Sequence, residues 1–493
     1  MMIFNKFDLL NIRIELVCVP SDKGHGANDS SYYPVGLLTI ASHIKKHLPE
    51  VDIEVIDLHN INDYEPNANI VGISSSSALN YGNVLKIAAQ AKKNGTLVVI
   101  GGPHASNITN QILQNRHDII DFIVKGKGED AFLELVKQYM TKQDYYTVPN
   151  LYWYDKAKDA IIHSERAIDN WNYDNYLPLN FDLLKPSLDT YWNNFRKKIN
   201  ASYDAVFIIF THFGCKYKQI QSRKQNIDKK VLSKFCSYCA LENEVMLREP
   251  ENIVNEVLEL IGRFQIHAGA KIHLKCYGDN IGPNYSLLDR LSKHISSCEE
   301  WEKFNISWTF YMQSNYMSDK MAIKLKEIDT ENLFIGFDSA DERVQKVNGL
   351  GTNNYTHKRC IDNCKKYGIN IQAALMLGCA GENKTSLYNN LNFAKYLATL
   401  TILERINTSI CVVMPGAENY ELLKSKEQWI ENLDYLDTIE MQKLWIKHFC
   451  PEIWQTPNGG LDILYQYINE IDRLSPRVHS SMGYLSDIAK ESN

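Results

Sequence analysis

Between residues 12 and 140 short apolar runs alternate with amphipathic stretches, and that alternation leaves few folds open to the chain. The runs are "IRIELVCV" (12–19), "IEVIDL" (53–58), "IVGIS" (70–74), "LVVIGG" (97–102) and "FIVKG" (122–126). The stretches between them include "VGLLTIASHIKKH", "VLKIAAQAKKNG" and "EDAFLELVKQYM". Near-continuous β-branched strands alternating with helices predict an α/β domain with a doubly wound parallel sheet, Rossmann- or flavodoxin-like in class. Sheets of this kind bind ligands beyond the carboxyl ends of their strands. Those ends here carry Ser74, Ser75, Ser76 and Ser77, then Gly101, Gly102, Pro103 and His104, then Gly126, Lys127, Gly128 and Glu129. Small residues there let a ligand or a second backbone approach closely.

A second βα series starts at residue 204. Its strand candidates are "DAVFIIFTHFG", "IHLKCYGD", "ISWTFYMQ", "LFIGFD", "NIQAALMLG" and "TSICVVM", and each of the first five precedes a helical pattern. Six parallel strands with crossover helices predict a (β/α)6 partial barrel with its chemistry at the carboxyl strand ends. Between the two series, "NLYWYDKAKDAIIHSERAI" reads as a hairpin turning near Asp155–Lys158. The aromatic stretch after it has two prolines and no period, and reads as a packed interdomain connection. The predicted organisation is a first α/β domain at 1–140, a connection at 141–203, the partial barrel at 204–424 and a small helical region at 425–493.

Charge and cysteine usage narrow the partners. Net charge is −6 over 493 residues, so the global balance favours neither nucleic acid nor an anionic membrane. No run of 18 apolar residues is present to span a bilayer. The opening stretch "MMIFNKFDLLNIRIELVCVP" lacks a small-residue cleavage site, and Arg13 and Glu15 break its apolar run, unlike a secretory signal. Eleven irregularly spaced cysteines then read as reduced thiols of a cytoplasmic chain, some of them metal-bound, rather than as a disulfide framework.

Three of those thiols stand apart. Cys215 follows the first strand of the second series, and Cys236 and Cys239 form a C-x-x-C pair after a gap of twenty residues. Three thiolates on one loop can hold a four-iron cluster and leave one iron open. An open iron can chelate the amino and carboxylate groups of S-adenosylmethionine. One electron then cleaves the sulfonium to give a 5′-deoxyadenosyl radical, while the protein supplies position and shielding.

With these residues in place the sequence resembles a known family, the cobalamin-binding radical S-adenosylmethionine proteins, over roughly residues 12–424. "YYPVGLLTIASHI" is similar to the first helix of that family's N-terminal domain. "GGPHAS" and "DFIVKGKGEDAFLEL" are similar to its GG-x-H and G-E-G-E signatures. "GFDSADERVQKVNGLGTNNY", "MLGCAGENKTSL" and "VMPGAENYELL" resemble, in order, its fourth, fifth and sixth barrel-strand regions. The resemblance implies three cofactors. A [4Fe-4S] cluster would sit on Cys215, Cys236 and Cys239. S-adenosylmethionine would meet Asp279, Ser339 and Gly378. Cobalamin would be cradled by Ser74, Ser75, Ser76, Gly101, Gly102, His104, Gly126, Gly128 and Glu129. It implies methylation of an unactivated carbon in a small-molecule or natural-product intermediate: the adenosyl radical takes a hydrogen from substrate, and the substrate radical takes a methyl group from methylcobalamin. It names no general base or other catalytic side chain. It implies an electron donor such as flavodoxin or ferredoxin.

The chain departs from the family in two places. The family spaces its ligands C-x3-C-x2-C, whereas here the first gap is x20, as though 17 residues were inserted. Closure entropy grows only as (3/2)RT ln n, so widening the gap costs about 1.7 kcal/mol, which a cluster can survive. The inserted stretch 216–235 holds seven Lys and Arg and one Asp. It is expected to be a solvated helix or loop, the alternative being a cover for the cluster mouth that meets an anionic substrate. Second, Lys127 stands where the family has an acidic residue. The D-x-H-x-x-G motif by which some cobalamin domains supply a histidine to cobalt is absent, since Asp22 and His25 are spaced D-x-x-H-G, and the resemblance implies a cobalamin whose lower face lacks a protein ligand. His357, Cys360 and Cys364 share one helix face and are expected to be core packing.

Three rival readings remain open on the sequence. The same cofactors could serve cyclisation, rearrangement or oxidation. A cobalamin-binding protein could have lost cluster chemistry through the insertion. A zinc-bearing structural protein would leave the barrel motifs unexplained.

Overall fold

A computed structural model describes residues 12–20, 32–58, 61–141, 144–164, 171–199, 203–222, 234–241, 244–434 and 438–476. The described residues fall into two compact units. One draws on Met1–Lys197 with Glu427–Thr438, the other on Lys198–Lys426 with Ile439–Asn493.

The first unit is built on one eight-stranded sheet. Its strands are β1 (Arg13–Cys18), β2 (Asp52–Asp57), β3 (Ile70–Ser74), β4 (Leu97–Gly101), β5 (Phe122–Val124), β6 (Leu151–Asp155), β7 (Ala160–His163) and β8 (Leu184–Lys185). They lie in the order β7-β6-β5-β4-β3-β1-β2-β8. Pairing is parallel throughout except at β5–β6 and β6–β7. The direction of winding reverses between β1 and β3, which makes their carboxyl ends the topological switch. The β-branched runs are buried, Ile14, Leu16, Val17, Val71 and Ile73 among them. Gly72 has to be small: a methyl group there would meet Leu16 at 2.6 Å and Phe132 of the helix Glu129–Thr141 at 2.8 Å.

Two boundaries differ from the sequence reading. The segment taken as a connection, 141–203, forms the expected hairpin as β6 and β7, but it joins that hairpin and β8 to this sheet. The segment Glu427–Thr438, read as part of the helical region, packs with the first unit. There Asp434 accepts from Arg116 at 2.6 Å and from the Tyr81 hydroxyl at 3.2 Å. Both differences have one cause. Short strands and isolated polar anchors leave no apolar period to read.

The second unit carries a six-stranded parallel sheet. Its strands are β9 (Ala205–Ile209), β12 (Lys271–Cys276), β13 (Asn305–Gln313), β14 (Thr330–Asp338), β15 (Asn370–Leu377) and β16 (Leu403–Ile410), paired in that sequence. β10 (His212–Phe213) and β11 (Met246–Leu247) form a separate antiparallel pair. The sixth strand lies five residues earlier than "TSICVVM" suggests. β16 is an edge strand whose half-exposed Glu404, Arg405 and Asn407 hide its period, and Cys411 follows its end. Crossover helices return between strands with well-made starts. Asn353 and Thr356, and likewise Asn383 and Ser386, form reciprocal capping boxes. His357, Cys360 and Cys364 are buried on the helix Asn354–Tyr367, with the His357 ring bonded to the Ser314 hydroxyl at 2.7 Å.

Arg248 ties the end of β9 to the helix Pro250–Arg263. Its guanidinium donates to the Phe210 carbonyl and pairs with Glu256, each at 2.6 Å, and its side chain is 0% exposed. Removing one partner of a buried pair strands the other charge. Glu256→Ala is expected to cost about 3–5 kcal/mol in urea unfolding of the full chain. Replacing both residues by Met and Leu is expected to recover most of that loss.

Candidate functional site

The thiol loop hangs from a clamped neck. β9 ends at Ile209, and the next residues pair antiparallel with the far side of the insertion, His212 opposite Leu247 and Phe213 opposite Met246. Gly214 follows at φ +77°, where a Cβ would lie 1.9 Å from the Glu244 carbonyl. Its N–H donates to the Asp279 carboxylate at 2.7 Å. Cys215 is thus set at a fixed point just past β9.

Cys236 and Cys239 are set by the loops that follow other strands. The Ser237 N–H donates to the Asn348 carbonyl at 3.1 Å, and its hydroxyl to the Asn348 side chain at 2.8 Å. The Ser237 carbonyl accepts the Asn419 N–H at 2.8 Å. Tyr238 donates its hydroxyl to Asp338 at the end of β14. Two amides bridge the thiols. Asn280 stands with Nδ2 4.0 Å from the Cys215 sulfur and donates to Gln313 at 3.1 Å, while Gln313 Nε2 donates to the Cys236 sulfur at 3.4 Å.

The electrostatics of this set pull in two directions. Burial pushes all three thiols above their ordinary value. Asp338, Cys239 and Cys215 raise Cys236 further, and Cys215 raises Cys239. Against this, the N–H groups of Tyr217 and Lys218 favour the Cys215 thiolate, and Lys218 and the Leu241 N–H favour that of Cys239. Bound metal resolves such a conflict by stabilising the deprotonated form. Among the described residues no three His, Cys, Asp or Glu side chains could hold a single metal ion. A four-iron cluster makes a different demand, since each thiolate ligates its own iron. Three thiols on one pinned loop, each facing N–H donors, fit that group.

The three residues that the resemblance sets against S-adenosylmethionine all lie at carboxyl strand ends, and each is engaged by the protein. Asp279 holds Gly214. Ser339, fully buried after β14, donates to Asn390 at 3.3 Å and accepts the Asp341 N–H at 3.1 Å. Gly378, at φ +78° after β15, gives its N–H to Glu382 and accepts the Trp445 indole N–H at 3.0 Å. Sequence reasoning missed Gln313, Tyr238 as a donor, and the acids Asp338 and Glu382. Burial raises Asp338 to about 6 and Glu382 to about 8. Asp338 also sits at φ +61°, beside an irregularity in the β14–β15 register, which is a rare conformation for a non-glycine residue. Cys379, Cys411 and Val344 pack together with Tyr238 against them, consistent with thiols that fill space.

In the first unit the strand-end residues are stitched to one another. Ser74 pairs with Gly101, Ser75 donates its N–H to the Gly101 carbonyl at 2.8 Å, and the His104 N–H donates to the Ser75 carbonyl at 3.1 Å. Gly102, at φ +99°, would bring a Cβ to 2.7 Å from that carbonyl. Ser76 is exposed. Gly126 donates to the Ser106 hydroxyl at 2.9 Å, and Gly128 is small because Ile40 of the helix Val35–His47 lies 2.9 Å from its Cβ position. Glu129 does not stand free. It accepts the Trp171 indole N–H at 3.1 Å, and the Lys127 ammonium lies 4.3 Å over that indole. His104 packs against Tyr81 with centroids 4.9 Å apart, and burial pushes its ring down to about 4. Among the described residues, the Ser75 hydroxyl and His104 Nε2 are buried polar atoms without a partner. Unmet polar atoms on two neighbouring strand-end loops fit a ligand rich in amides, as cobalamin is. His25 and Asp22 lie outside the described residues.

Comparison with known proteins agrees with this division. Residues 29–136 match the B12 binding domain, and residues 233–394 match the Radical SAM superfamily. The second match takes in Cys236, Cys239, Asp279, Ser339 and Gly378 and starts after Cys215. One chain thus matches, in this order, the two modules that define cobalamin-binding radical S-adenosylmethionine proteins. It is 23% identical over 402 residues to an uncharacterized methyltransferase of Pyrococcus horikoshii, covering 79% of this chain and 78% of that one. It is 22% identical over 363 residues to an uncharacterized protein of Methanocaldococcus jannaschii, covering 69% and 67%. In fold it is similar to TsrM, a radical S-adenosylmethionine methyltransferase from Kitasatospora setae solved with cobalamin and a [4Fe-4S] cluster. That likeness has a TM-score of 0.61 at 15% identity, over 84% of this chain and 75% of that one. It is also similar to the cobalamin-dependent radical enzyme OxsB, with a TM-score of 0.59 at 15% identity, over 94% and 71%.

Two outcomes follow from the site. Gly214→Ala cannot keep both its φ and its distance from Glu244. It is expected to lower iron and sulfide uptake on anaerobic reconstitution by more than half, with the chain still folded by circular dichroism. Glu382 gives a pH signature. Its carboxyl is raised from 4.5 to about 8, so the folded chain keeps a proton that the unfolded chain releases. Stability from this group is full below about pH 4.5 and falls as pH climbs to about 8, with a slope of at most about 1.4 kcal/mol per unit. Glu382→Gln, which cannot ionise, is expected to flatten that part of the urea-unfolding profile.

Proposed function

We propose that this chain is a cobalamin-dependent radical S-adenosylmethionine enzyme that methylates an unactivated carbon of a small molecule. The observation that carries the reading is the convergence of Cys215, Cys236 and Cys239 on one pinned loop at the barrel mouth, downstream of a B12 binding domain. Loaded, the site would supply a carbon-centred radical from S-adenosylmethionine and a transferable methyl group from cobalamin. The chain's own residues do the rest. Cys215, Cys236 and Cys239 would hold the cluster, and Asn280 and Gln313 orient N–H groups toward two of their sulfurs. Tyr238 and Asp338 wall the cluster loop on the β14 side. Asp279, Ser339 and Gly378 shape the strand-end turns that a nucleoside would approach, fixing backbone more than reaching out with side chains. In the first unit, Ser74, Ser75, Ser76, Gly101, Gly102, His104, Gly126, Gly128 and Glu129 would form the cobalamin crevice, with Ser75 and His104 supplying the unmet polar atoms. Reduction needs a low-potential donor such as flavodoxin or ferredoxin, and the compartment would be the cytoplasm. A second reading keeps the same cofactors for radical chemistry other than methyl transfer.

The test is anaerobic reconstitution with iron, sulfide and cobalamin. The wild-type chain is expected to take up about four irons, with one iron whose Mössbauer signal changes on adding S-adenosylmethionine. It should also cleave S-adenosylmethionine reductively. Cys236→Ala is expected to lose the cluster and that cleavage while keeping cobalamin. An active four-iron cluster in this variant would sink the ligand assignment. Transfer of a labelled methyl group to product separates the two readings.

A further inference from the structure

Lys218 belongs to the inserted stretch and lies on the helix Lys216–Ser222, yet its side chain is not in solvent. It is 5% exposed. Its ammonium donates to the Cys239 carbonyl at 3.1 Å and to the Leu241 carbonyl, and it lies 4.6 Å from the Phe235 ring centroid. Those groups fall within seven residues that include Cys236 and Cys239. An ammonium is costly to bury unless negative charge or hydrogen bonding compensates it. Two carbonyls and a ring face contribute to that compensation, and a thiolate-bound cluster would add negative charge on the same side.

We propose that Lys218 is a positioning residue of the iron–sulfur site, clamping the segment that carries Cys236 and Cys239 and holding a fixed positive charge there that raises the cluster's reduction potential. The inference rests on the ligand assignment above and adds a role for the insertion. Reduction adds one electron to the cluster, drawn from a low-potential one-electron donor, and leaves the cluster one unit more negative. A neighbouring cation stabilises that state more than the oxidised one.

The experiment compares full-length wild type, Lys218→Met and Lys216→Met, each reconstituted anaerobically and titrated with dithionite under paramagnetic resonance. Lys216→Met removes the same charge from the same helix. Lys218→Met is expected to lower the reduced-to-oxidised ratio about tenfold at the wild-type midpoint, about 59 mV for a one-electron couple. Lys216→Met should match wild type. Loss of iron in Lys218→Met alone would support the clamp. Equal potentials in Lys218→Met and wild type at equal iron content would overturn the proposal, and so would equal shifts in both variants. Should Lys218→Met fail to fold, Lys218→Gln keeps N–H donation without charge and carries the same comparison. A wild-type chain that takes up no four-iron cluster fails the ligand assignment first, and the proposal falls with it.

Discussion

Burial drives the thiols of Cys215, Cys236 and Cys239 away from ionisation, yet only the thiolate binds iron. Desolvating one unpaired charge costs several kcal/mol, and here three groups of like sign share one neighbourhood. Much of the local structure can be read as an answer to that conflict. Backbone N–H groups face Cys215 and Cys239, amides stand beside Cys215 and Cys236, and a buried ammonium sits beside Cys239. None of these donors removes the penalty alone. They lower it, and they fix where each sulfur stands.

The long gap between the first two ligands is tolerable because its ends do not depend on what fills it. Entropy alone would charge about 1.7 kcal/mol for the longer loop. The β10–β11 pair, Gly214 against Glu244, and Asp279 on the Gly214 N–H fix the neck locally. Ser237 is fixed separately, by Asn348 after β14 and by Asn419 in the helix that follows β16. Chain between these two anchors can lengthen without moving either. Part of it is then free to acquire a task, as Lys218 has.

How far the sequence could be read follows from how far each signal reaches along the chain. Strands such as "IVGIS" and "LVVIGG" announce themselves, because a parallel strand buried on both faces is an unbroken apolar run. β16 does not, since an edge strand carries Glu404, Arg405 and Asn407 in view of solvent. β8 is two residues long and has no period at all. The proposal of Cys215, Cys236 and Cys239 as ligands came from their spacing and from the place of Cys215 after β9. Gln313, 77 residues from Cys236, was not, because an amide becomes a thiol donor only through folding. Lys218 was legible as a charge and misread as solvated, for composition cannot say that a basic helix buries one of its lysines.

The strand-end motif of the first unit shows the same limit from the other side. Gly126 to Glu129 reads as a ligand cradle, and the Lys127 substitution as a change in loop charge. In the structure Glu129 opens the helix Glu129–Thr141, where a carboxylate is favoured by the helix dipole, and it receives the Trp171 N–H. Lys127 covers the same indole from its face. The adjacent Asp130 accepts from the Tyr176 hydroxyl at 2.9 Å and from His43 at 3.0 Å. Lys127, Glu129 and Asp130 therefore hold the aromatic segment that precedes β8. An acidic residue at 127 would face Glu129 across that indole and repel it, whereas lysine binds the ring and offsets the buried carboxylate. The departure from the family pattern is thus matched by Trp171, and the two positions are best regarded as one feature.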